Sequence, residues 1–272
     1  MRTRAAAISV LCLMFGLLAL PARAQYGAKA PSDLATGERY HVELGGFFWN
    51  PTPDIVISSE SLGIVGTDID FVNDLGIAKK RLKQMRVVLH PARKHKFRFE
   101  YTPISYQAEG QLTASVIFNG ILFPVTFPVT TNMEWKAYRF GYEYDFISKD
   151  RGFVGLILEA KYTDVQANLS NVIGTEFARA RAPIPSIGGI GRVYIVPNIS
   201  ITGEFTGIKL PESINDDYRA KYFDLDIYGT VNFTDNFGVQ AGYRSFVVEY
   251  KVEKDAGDLK LKGLYFGGLV RF

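Results

Sequence analysis

The sequence is poor in the residues that build most metal and redox sites, with one cysteine and three histidines among 272 residues. The cysteine, Cys12, lies in a stretch that we expect to be cleaved off, so the mature chain has none. A chain without cysteine forms neither disulfides nor thiolate metal sites. His41, His90 and His95 are scattered along the chain. We therefore expect no transition-metal site and no cofactor.

Long apolar stretches are also scarce. The one long run, residues 8–20, spans roughly 13 residues, which is short of the ~20 that a transmembrane helix needs. Arg2 and Arg4 precede this run, and Ala22-Arg23-Ala24 follows it as an A-x-A cleavage site. This order is typical of a secretory signal peptide, and we predict one over residues 1–24. A mature chain that sits in a membrane must then cross it with strands.

An excess of charge of one sign is absent as well. The chain has 31 Lys and Arg against 28 Asp and Glu. Removal of the predicted signal takes away Arg2, Arg4 and Arg23 and no acidic residue, which leaves 31 − 3 = 28 basic against 28 acidic side chains. A near-neutral chain without charge blocks has no general attraction for nucleic acid, so we expect no nucleic-acid partner.

What the chain does contain is a regular alternation of apolar and polar residues. It is clearest in residues 133–146, where one face is aromatic and the other small or charged: Tyr138, Phe140, Tyr142, Tyr144 and Phe146 against Ala137, Arg139, Gly141, Glu143 and Asp145. This period predicts a β-strand with two different faces. Five rings on one face are unfavourable in water, whereas they suit a strand whose outer face meets lipid.

About ten segments follow this pattern, and the connections between them alternate in length. The segments are 40–48, 84–90, 97–102, 133–146, 154–163, 186–195, 199–206, 223–233, 237–247 and 264–272. Short turns are predicted at 91–96, 148–152, 197–198 and 234–236, and long loops at 51–80, 168–183, 211–219 and 253–258. This alternation is typical of a transmembrane up-and-down barrel. Two apolar stretches in the first long loop, 55–57 and 63–65, are interpreted as strand extensions; a surface for a partner or ligand is the alternative.

The last segment ends on an aromatic residue at the end of the sequence. Phe266, Val270 and Phe272 lie on one of its faces. This strand resembles the C-terminal signature of bacterial outer-membrane β-barrels, and the chain is similar to the small barrels of that group (OmpA-like and related families). The resemblance implies a protein of the Gram-negative outer membrane, in contact with outer-membrane lipid. It also implies that the barrel assembly machinery reads the last strand, which pairs with the first.

We therefore predict an all-β fold, a closed antiparallel up-and-down transmembrane β-barrel of about ten strands over residues 38–272, preceded by a periplasmic lead-in over 25–37. Asn119-Gly120 lies between two apolar triplets and is a strong type I′ turn signal. We expect it to close a long extracellular β-hairpin ribbon; a separate small hairpin over the barrel mouth is the alternative. A soluble β-sandwich or lipocalin-like fold is the main rival, with its aromatic faces pointing inward.

If the aromatic faces point outward, nearly all strand charges point into the lumen. The expected lumen network consists of Arg86, Arg98, Glu100, Arg139, Glu143, Glu159, Lys161, Arg192, Glu204, Asp224, Asp226 and Arg244. Side chains can fill a barrel of roughly eight to ten strands, and an unpaired buried charge is costly. We therefore favour a plugged, salt-bridged lumen and a structural or surface-binding role. A narrow porin for small solutes is the alternative.

Catalysis is the third hypothesis. Omptin-like proteases and barrel lipid-A deacylases are similar in architecture and place histidine at the extracellular rim. Here all three histidines fall at the periplasmic end of the predicted strands, so a general base is missing at that rim, and we predict no enzyme and no catalytic residues. The acidic stretches 68–70 and 215–217 carry oxygen ligands of the kind that calcium prefers, but we interpret them as solvated loop carboxylates and predict no metal site.

Overall fold

The computed structural model describes residues 34–59, 67–112, 114–209, 218–252 and 255–272. The predicted signal peptide, residues 25–33 of the predicted lead-in, the apolar stretch 63–65 and the acidic stretch 215–217 lie outside the described residues. In the described part of the chain, no helix is long and apolar enough to cross a membrane.

The described residues form thirteen β-strands, and ten of them build one closed barrel. The strands are β1 (Val42–Ser59), β2 (Ile69–Asp70), β3 (Leu82–Ala92), β4 (His95–Gln111), β5 (Val116–Phe118), β6 (Ile121–Phe123), β7 (Pro128–Lys149), β8 (Gly152–Ser170), β9 (Thr175–Val196), β10 (Ile199–Lys209), β11 (Tyr218–Asn232), β12 (Phe237–Val252) and β13 (Asp255–Arg271). All except β2, β5 and β6 form the barrel wall, in chain order and antiparallel. The predicted barrel of about ten strands is confirmed.

The connections between successive wall strands lie alternately at the two ends of the barrel. The turns after β3, β7, β9 and β11 lie at one end, together with Phe272. We call this the turn end. The connections after β1, β4, β8, β10 and β12 lie at the other end, which we call the loop end. Those after β8 and β12 are short, which corrects the long loops predicted at 168–183 and 253–258.

Backbone pairing between the first and last strands closes the wall. The β1–β13 ladder extends along both strands and places Glu43 opposite Arg271 at the turn end. There the N–H of Val42 donates to the carbonyl of Phe272 at 3.1 Å, and the N–H of Phe272 donates back to the carbonyl of Val42 at 2.9 Å. Closure leaves no open sheet edge, which a membrane interior does not tolerate.

Residues 116–123 form a small hairpin of their own, which corrects the prediction of a long ribbon. The ladder between β4 and β7 ends before this hairpin begins. β5 and β6 pair only with each other, with Phe118 opposite Ile121. Both residues of the Asn119-Gly120 turn have positive φ, as a type I′ turn requires. Phe118 and Phe123 are fully buried, so the hairpin packs into the loop end, as the alternative proposed.

Several strands are longer than predicted. β1 continues to Ser59 and includes residues 55–57, which fits the interpretation of that stretch as a strand extension. β8 and β9 remain paired up to Ser170 opposite Thr175, where we predicted a long loop. The predicted loops are too long because the face pattern changes part-way along each strand, so that one pattern does not describe the whole strand.

The two faces of the wall exchange character along the strands. On β8 the outward side chains are apolar from Val154 to Tyr162, which matches the ~9–11 residues of a spanning strand. Beyond Tyr162 the outward side chains become polar, beginning with Asp164, and the inward ones become apolar, from Val165 to Leu169. The wall therefore has the outer face of a transmembrane barrel near the turn end and that of a water-soluble barrel near the loop end.

Aromatic rings mark both edges of the outward apolar band. At the edge nearer the loop end, Tyr101, Tyr138 and Tyr162 lie side by side, with successive ring centroids 4.7 and 6.3 Å apart. At the turn end, Phe233 and Phe237 stack with centroids 5.8 Å apart. Rows of rings at both edges are typical of the girdles that flank the lipid-facing surface of membrane barrels.

On the loop-end side of this band, the barrel interior is an apolar core. Its bulky members include Trp49, Phe71, Tyr106, Phe118, Phe123, Met133 and Trp135. The indole N–H of Trp135 donates to Thr163 Oγ1 at 2.6 Å, so its polar atom has a partner despite burial. This core holds together the parts of the strands whose outer face is polar.

Single substitutions at the loop end of β8 test this change of faces. Leu169 is fully buried in the core, and its neighbour Ser170 faces outward. We expect Leu169→Ser to lower the free energy of unfolding by about 3–5 kcal/mol, because it leaves a cavity and buries a hydroxyl. The reverse exchange, Ser170→Leu, is the control and should change it by less than about 1 kcal/mol. The measurement is urea unfolding followed by heat-modifiable migration on detergent gels; equal losses in both variants would contradict the assignment of faces.

Candidate functional site: the filled barrel interior

Arg139 on β7 is the centre of a charge network that crosses the lumen. Its Nη2 lies 2.6 Å from Glu159 Oε1 and 2.8 Å from Glu204 Oε1. Its Nη1 lies 3.4 Å from Glu100 Oε1 and 3.3 Å from Asp224 Oδ2. The four carboxylates come from β4, β8, β10 and β11, so one guanidinium group connects five strands through the interior.

Two further arginines complete this network. Arg244 Nη1 lies 2.6 Å from Glu100 Oε1, and its Nη2 lies 2.7 Å from Asp224 Oδ2. Arg98 Nη2 lies 2.6 Å from Glu204 Oε2. Glu100, Asp224 and Glu204 are thus each shared between two guanidinium groups. Charges removed from water are favourable only when they are paired in this way.

Lys96 extends the network toward the turn end, and we missed it in the sequence. We predicted a short turn at residues 91–96, but Lys96 belongs to strand β4. Lys96 is buried, and its Nζ lies 2.7 Å from Glu143 Oε1 and 2.9 Å from Asp145 Oδ2. The signal was its position two residues before Arg98, which places both side chains on the inward face.

The other predicted lumen residues also point inward, but only some belong to the Arg139 network. Lys161 joins it through Glu159, with Nζ 3.0 Å from Oε2. Arg86 lies outside it and pairs with Glu43 at 3.5 Å. Asp226 accepts a hydrogen bond from a tyrosine hydroxyl at 3.1 Å. The lumen is therefore salt-bridged, as predicted, and it contains more than one cluster.

A segment before β1, residues 34–40, crosses the turn end of the barrel. Its backbone N–H groups donate to three different turns: Ala35 to the carbonyl of Asp150 at 3.1 Å, Thr36 to the carbonyl of Pro197 at 2.7 Å, and Gly37 to Asp235 Oδ1 at 2.8 Å. We call residues 34–40 the closing segment. Its first four residues are the described end of the predicted lead-in.

Glu38 ties the closing segment to the wall. Its Oε1 lies 2.7 Å from Arg192 Nη1 and accepts a hydrogen bond from the Tyr194 hydroxyl at 2.7 Å. Burial raises the pKa of Glu38, but the positive charges of Arg192 and Lys96 outweigh it and lower the pKa to about 2. Glu38 is therefore ionised at physiological pH. Arg192, a predicted lumen residue, holds the closing segment instead of joining the Arg139 network.

Little space is left inside the barrel between the closing segment, the Arg139 network and the apolar core. One cavity lies between the Arg139 network and the apolar core, lined in part by Trp49, Arg139 and Arg244, with a volume of about 10 Å³. A second cavity of about 10 Å³ is lined by Arg86, Arg98 and other charged side chains of the network. Each has room for about one water molecule.

The histidines and loop carboxylates lie apart from this interior. All three histidines lie at the turn end, where His95 Nδ1 is 2.7 Å from the Tyr142 hydroxyl. Asp70 Oδ1 accepts hydrogen bonds from the N–H groups of Val72 and Asn73 at 2.9 and 3.0 Å, so this carboxylate stabilises its own turn. Among the residues that the structure describes, no group of three or more His, Cys, Asp or Glu is placed to hold a metal ion.

The residues of the predicted assembly signal lie on the outer face of β13. Phe266, Val270 and Phe272 are exposed, and the Phe266 ring lies 5.8 Å from that of Phe48 across the β1–β13 seam. Their outward direction is the one that the strand pattern predicted. Their recognition by an assembly machinery stays a prediction.

No protein-family model matches the chain, and no curated protein matches its sequence. Among solved structures, the chain is similar to the outer-membrane protease OmpT of Escherichia coli at 9% identity and a TM-score of 0.54, over 88% of this chain and 99% of that one. It is also similar to the attachment invasion locus protein Ail of Yersinia pestis, at 9% identity and a TM-score of 0.38 over 85% and 99% of the two chains. An outer-membrane channel of Pseudomonas putida F1 matches at 9% identity and a TM-score of 0.38, over 90% and 100%. At these identities the similarity shows only a shared fold, and only the match to OmpT has a TM-score high enough to support it.

Removal of the central guanidinium group tests the charge network. We expect Arg139→Met to lower the free energy of unfolding by about 3–5 kcal/mol, because buried carboxylates lose their partner. The matched control is Arg179→Met, which removes a guanidinium group 2.7 Å from Asp164 on the outer face. That exposed pair should contribute little to stability, because solvent screens it. Urea unfolding in detergent measures both variants, and a loss of similar size in the two would show that the Arg139 network is not shielded from water.

Proposed function

We propose that this protein is an integral outer-membrane barrel with a closed lumen, and that it has a structural or surface-binding role. The observation that carries the proposal is the filling of the interior at three successive levels. The closing segment covers the turn end, the ion pairs around Arg139 occupy the middle, and the apolar core with the hairpin of residues 116–123 fills the loop end.

The outer surface supports the membrane location. An apolar band between two rows of aromatic rings fits the hydrocarbon layer and its interfaces. The turn end then faces the periplasm and the loop end faces the outside of the cell, as in other barrels of this kind. The polar outer face beyond Tyr162 is consistent with strands that continue into water on the outside.

The loop end supports a binding role. The hairpin contacts the start of β9, where Asn119 Nδ2 donates to Glu176 Oε2 at 2.7 Å. Exposed apolar side chains lie on both sides of this contact: Leu122, Val172, Ile173 and Phe177, each more than half exposed. Exposed apolar clusters of this kind are typical of interaction surfaces.

The two rival functions have less support. A narrow porin needs a continuous aqueous path, and the described lumen is occupied by paired charges of both signs. A hydrolase of the omptin type needs a general base at the outer rim, and the three histidines lie at the opposite end. The protease activity in the name of OmpT belongs to that protein, since the likeness to it is one of fold.

Planar-bilayer recording tests the closed lumen. We expect the unmodified protein to give no stable open state, because the paired side chains leave no path for hydrated ions. Arg139→Ala combined with Glu143→Ala should produce small, irregular conductance, whereas the surface control Arg179→Ala should not. A stable open state of several nanosiemens in the unmodified protein would overturn the proposal in favour of transport.

Cysteine labelling of intact cells tests the location and the orientation. The mature chain is predicted to lack cysteine, so single substitutions give unambiguous positions. Val172→Cys at the loop end should react with a membrane-impermeant maleimide in intact cells. Lys94→Cys at the turn end should react only after the outer membrane is broken. Labelling of both in intact cells, or recovery of the protein in the soluble fraction, would contradict the proposed location.

A further inference from the structure

We propose that the outer face of this barrel binds the phosphate groups of outer-leaflet lipid through a strip of unpaired cations at the edge of the apolar band. The basic strip consists of Lys79, Lys80, Arg81, Lys83 and Lys262, all exposed. The inference rests on the proposed membrane location and adds to it a ligand class and a site.

The strip lies directly beside the apolar band. Lys83 is opposite Phe48 in the β1–β3 ladder, and Phe48 is opposite Phe266 in the β1–β13 ladder. Both rings are exposed on the outer face. The Arg81 guanidinium carbon lies 6.0 Å from the Phe48 ring centroid and 5.8 Å from that of Phe266. A positive charge at this level meets the head groups of a lipid whose chains cover the two rings.

Lys262 approaches the same place from the other side of β1. It is opposite Thr52, two residues further toward the loop end than Asn50, which accepts a hydrogen bond from Arg81 Nε at 3.1 Å. Strands β3 and β13 lie on either side of β1, so they are roughly 10 Å apart, and Arg81 and Lys262 are offset along the strands by about 7 Å. The side chains of Arg81 and Lys262 are long enough to reach one anionic head group between them.

The five cations of the strip are clustered, and within the described residues none of them forms an ion pair. Several other outward cations near the loop end are paired: Lys260 with Asp258 at 2.8 Å, Arg179 with Asp164 at 2.7 Å and Lys221 with Glu249 at 2.6 Å. Neighbouring like charges repel each other. An anion bound between them would remove this repulsion.

Phosphate on a lipid is the anion that fits the position. Guanidinium and ammonium groups are the usual partners of phosphate oxygens, and basic residues beside a membrane surface attract anionic lipid head groups. The continuous apolar surface below the strip would hold the acyl chains of the same molecule. A free phosphate ion would make no use of that surface, so the position favours a phosphorylated lipid.

The test is the thermal unfolding midpoint of the full chain in neutral detergent, read from heat-modifiable gel migration during titration with a ligand. Three ligands are compared: lipid A with two phosphate groups, the same lipid after dephosphorylation, and inorganic pyrophosphate. The strip variant combines Arg81→Gln, Lys83→Gln and Lys262→Gln. The matched control removes three exposed cations at the turn end: Arg93→Gln, Lys94→Gln and Lys149→Gln.

We expect the phosphorylated lipid to raise the midpoint of the unmodified protein and of the control at similar concentrations. The strip variant should need at least about tenfold more of this lipid for the same shift. The dephosphorylated lipid should act equally on all three proteins, and pyrophosphate should have little effect. If the strip variant does not give a folded band without lipid, Lys83→Gln alone is titrated and should show a smaller loss in the same direction.

Three results would overturn the inference. In the first, the lipid shifts the midpoint of the strip variant as much as that of the unmodified protein. In the second, the control loses as much of its response to the lipid as the strip variant does. In the third, pyrophosphate alone reproduces the shift, which would show that the ligand is free phosphate. None of these results bears on the cell fractionation or the bilayer recording. A protein that fractionates with the outer membrane but shows one of them would refute the lipid site and leave the proposed function in place.

Discussion

Charges inside a narrow barrel have to be paired with each other, because burial removes most of the water that would otherwise solvate them. In this protein three carboxylates, Glu100, Glu204 and Asp224, are each held by two arginines, with Arg139 at the centre. The pairs join strands that are not neighbours in the wall, since β7 is connected to β10 and β11 across the lumen. The network therefore fixes the barrel cross-section and fills it at the same time.

The surrounding medium explains the rest of the architecture. Beside lipid, a strand needs an apolar outer face, and the polar residues are left for the interior. Beside water, the same strand needs a polar outer face, and its apolar residues form a core. On β8 the change occurs at Tyr162, and the aromatic row of Tyr101 and Tyr138 marks the same level on β4 and β7. The basic strip lies where the outer face changes in the same way on β3 and β13.

The sequence alone predicts the features that depend on the alternation of a single strand. Residues 133–146 show a strand and its two faces directly, and Asn119-Gly120 shows a type I′ turn, because both signals are local. Features that depend on several strands could not be predicted in the same way. The partner of each lumen charge depends on register and tilt, and the packing of the hairpin depends on the core beneath it. The change of faces at Tyr162 made strand extensions resemble loops.

Two residues whose contacts were not predicted show the same limit. Lys96 stands next to a basic turn, and only its position relative to Arg98 shows that it points inward. Glu38 precedes the first strand and carries no pattern at all. Its role becomes visible when Arg192, from a distant part of the sequence, is found 2.7 Å away. A contact between segments so far apart has no signature in either segment.

A spin-label scan of β8 tests the central claim most directly. One cysteine at a time from 154 to 170 carries a nitroxide, and the reconstituted protein is exposed to oxygen, which concentrates in lipid, and to a water-soluble nickel chelate. We expect oxygen access at even positions up to 162, nickel access at even positions from 164, and little access to either reagent at odd positions. Nickel access at positions 157–163 on the odd face would reveal an open lumen, and the absence of oxygen access at 154–160 would exclude a membrane barrel.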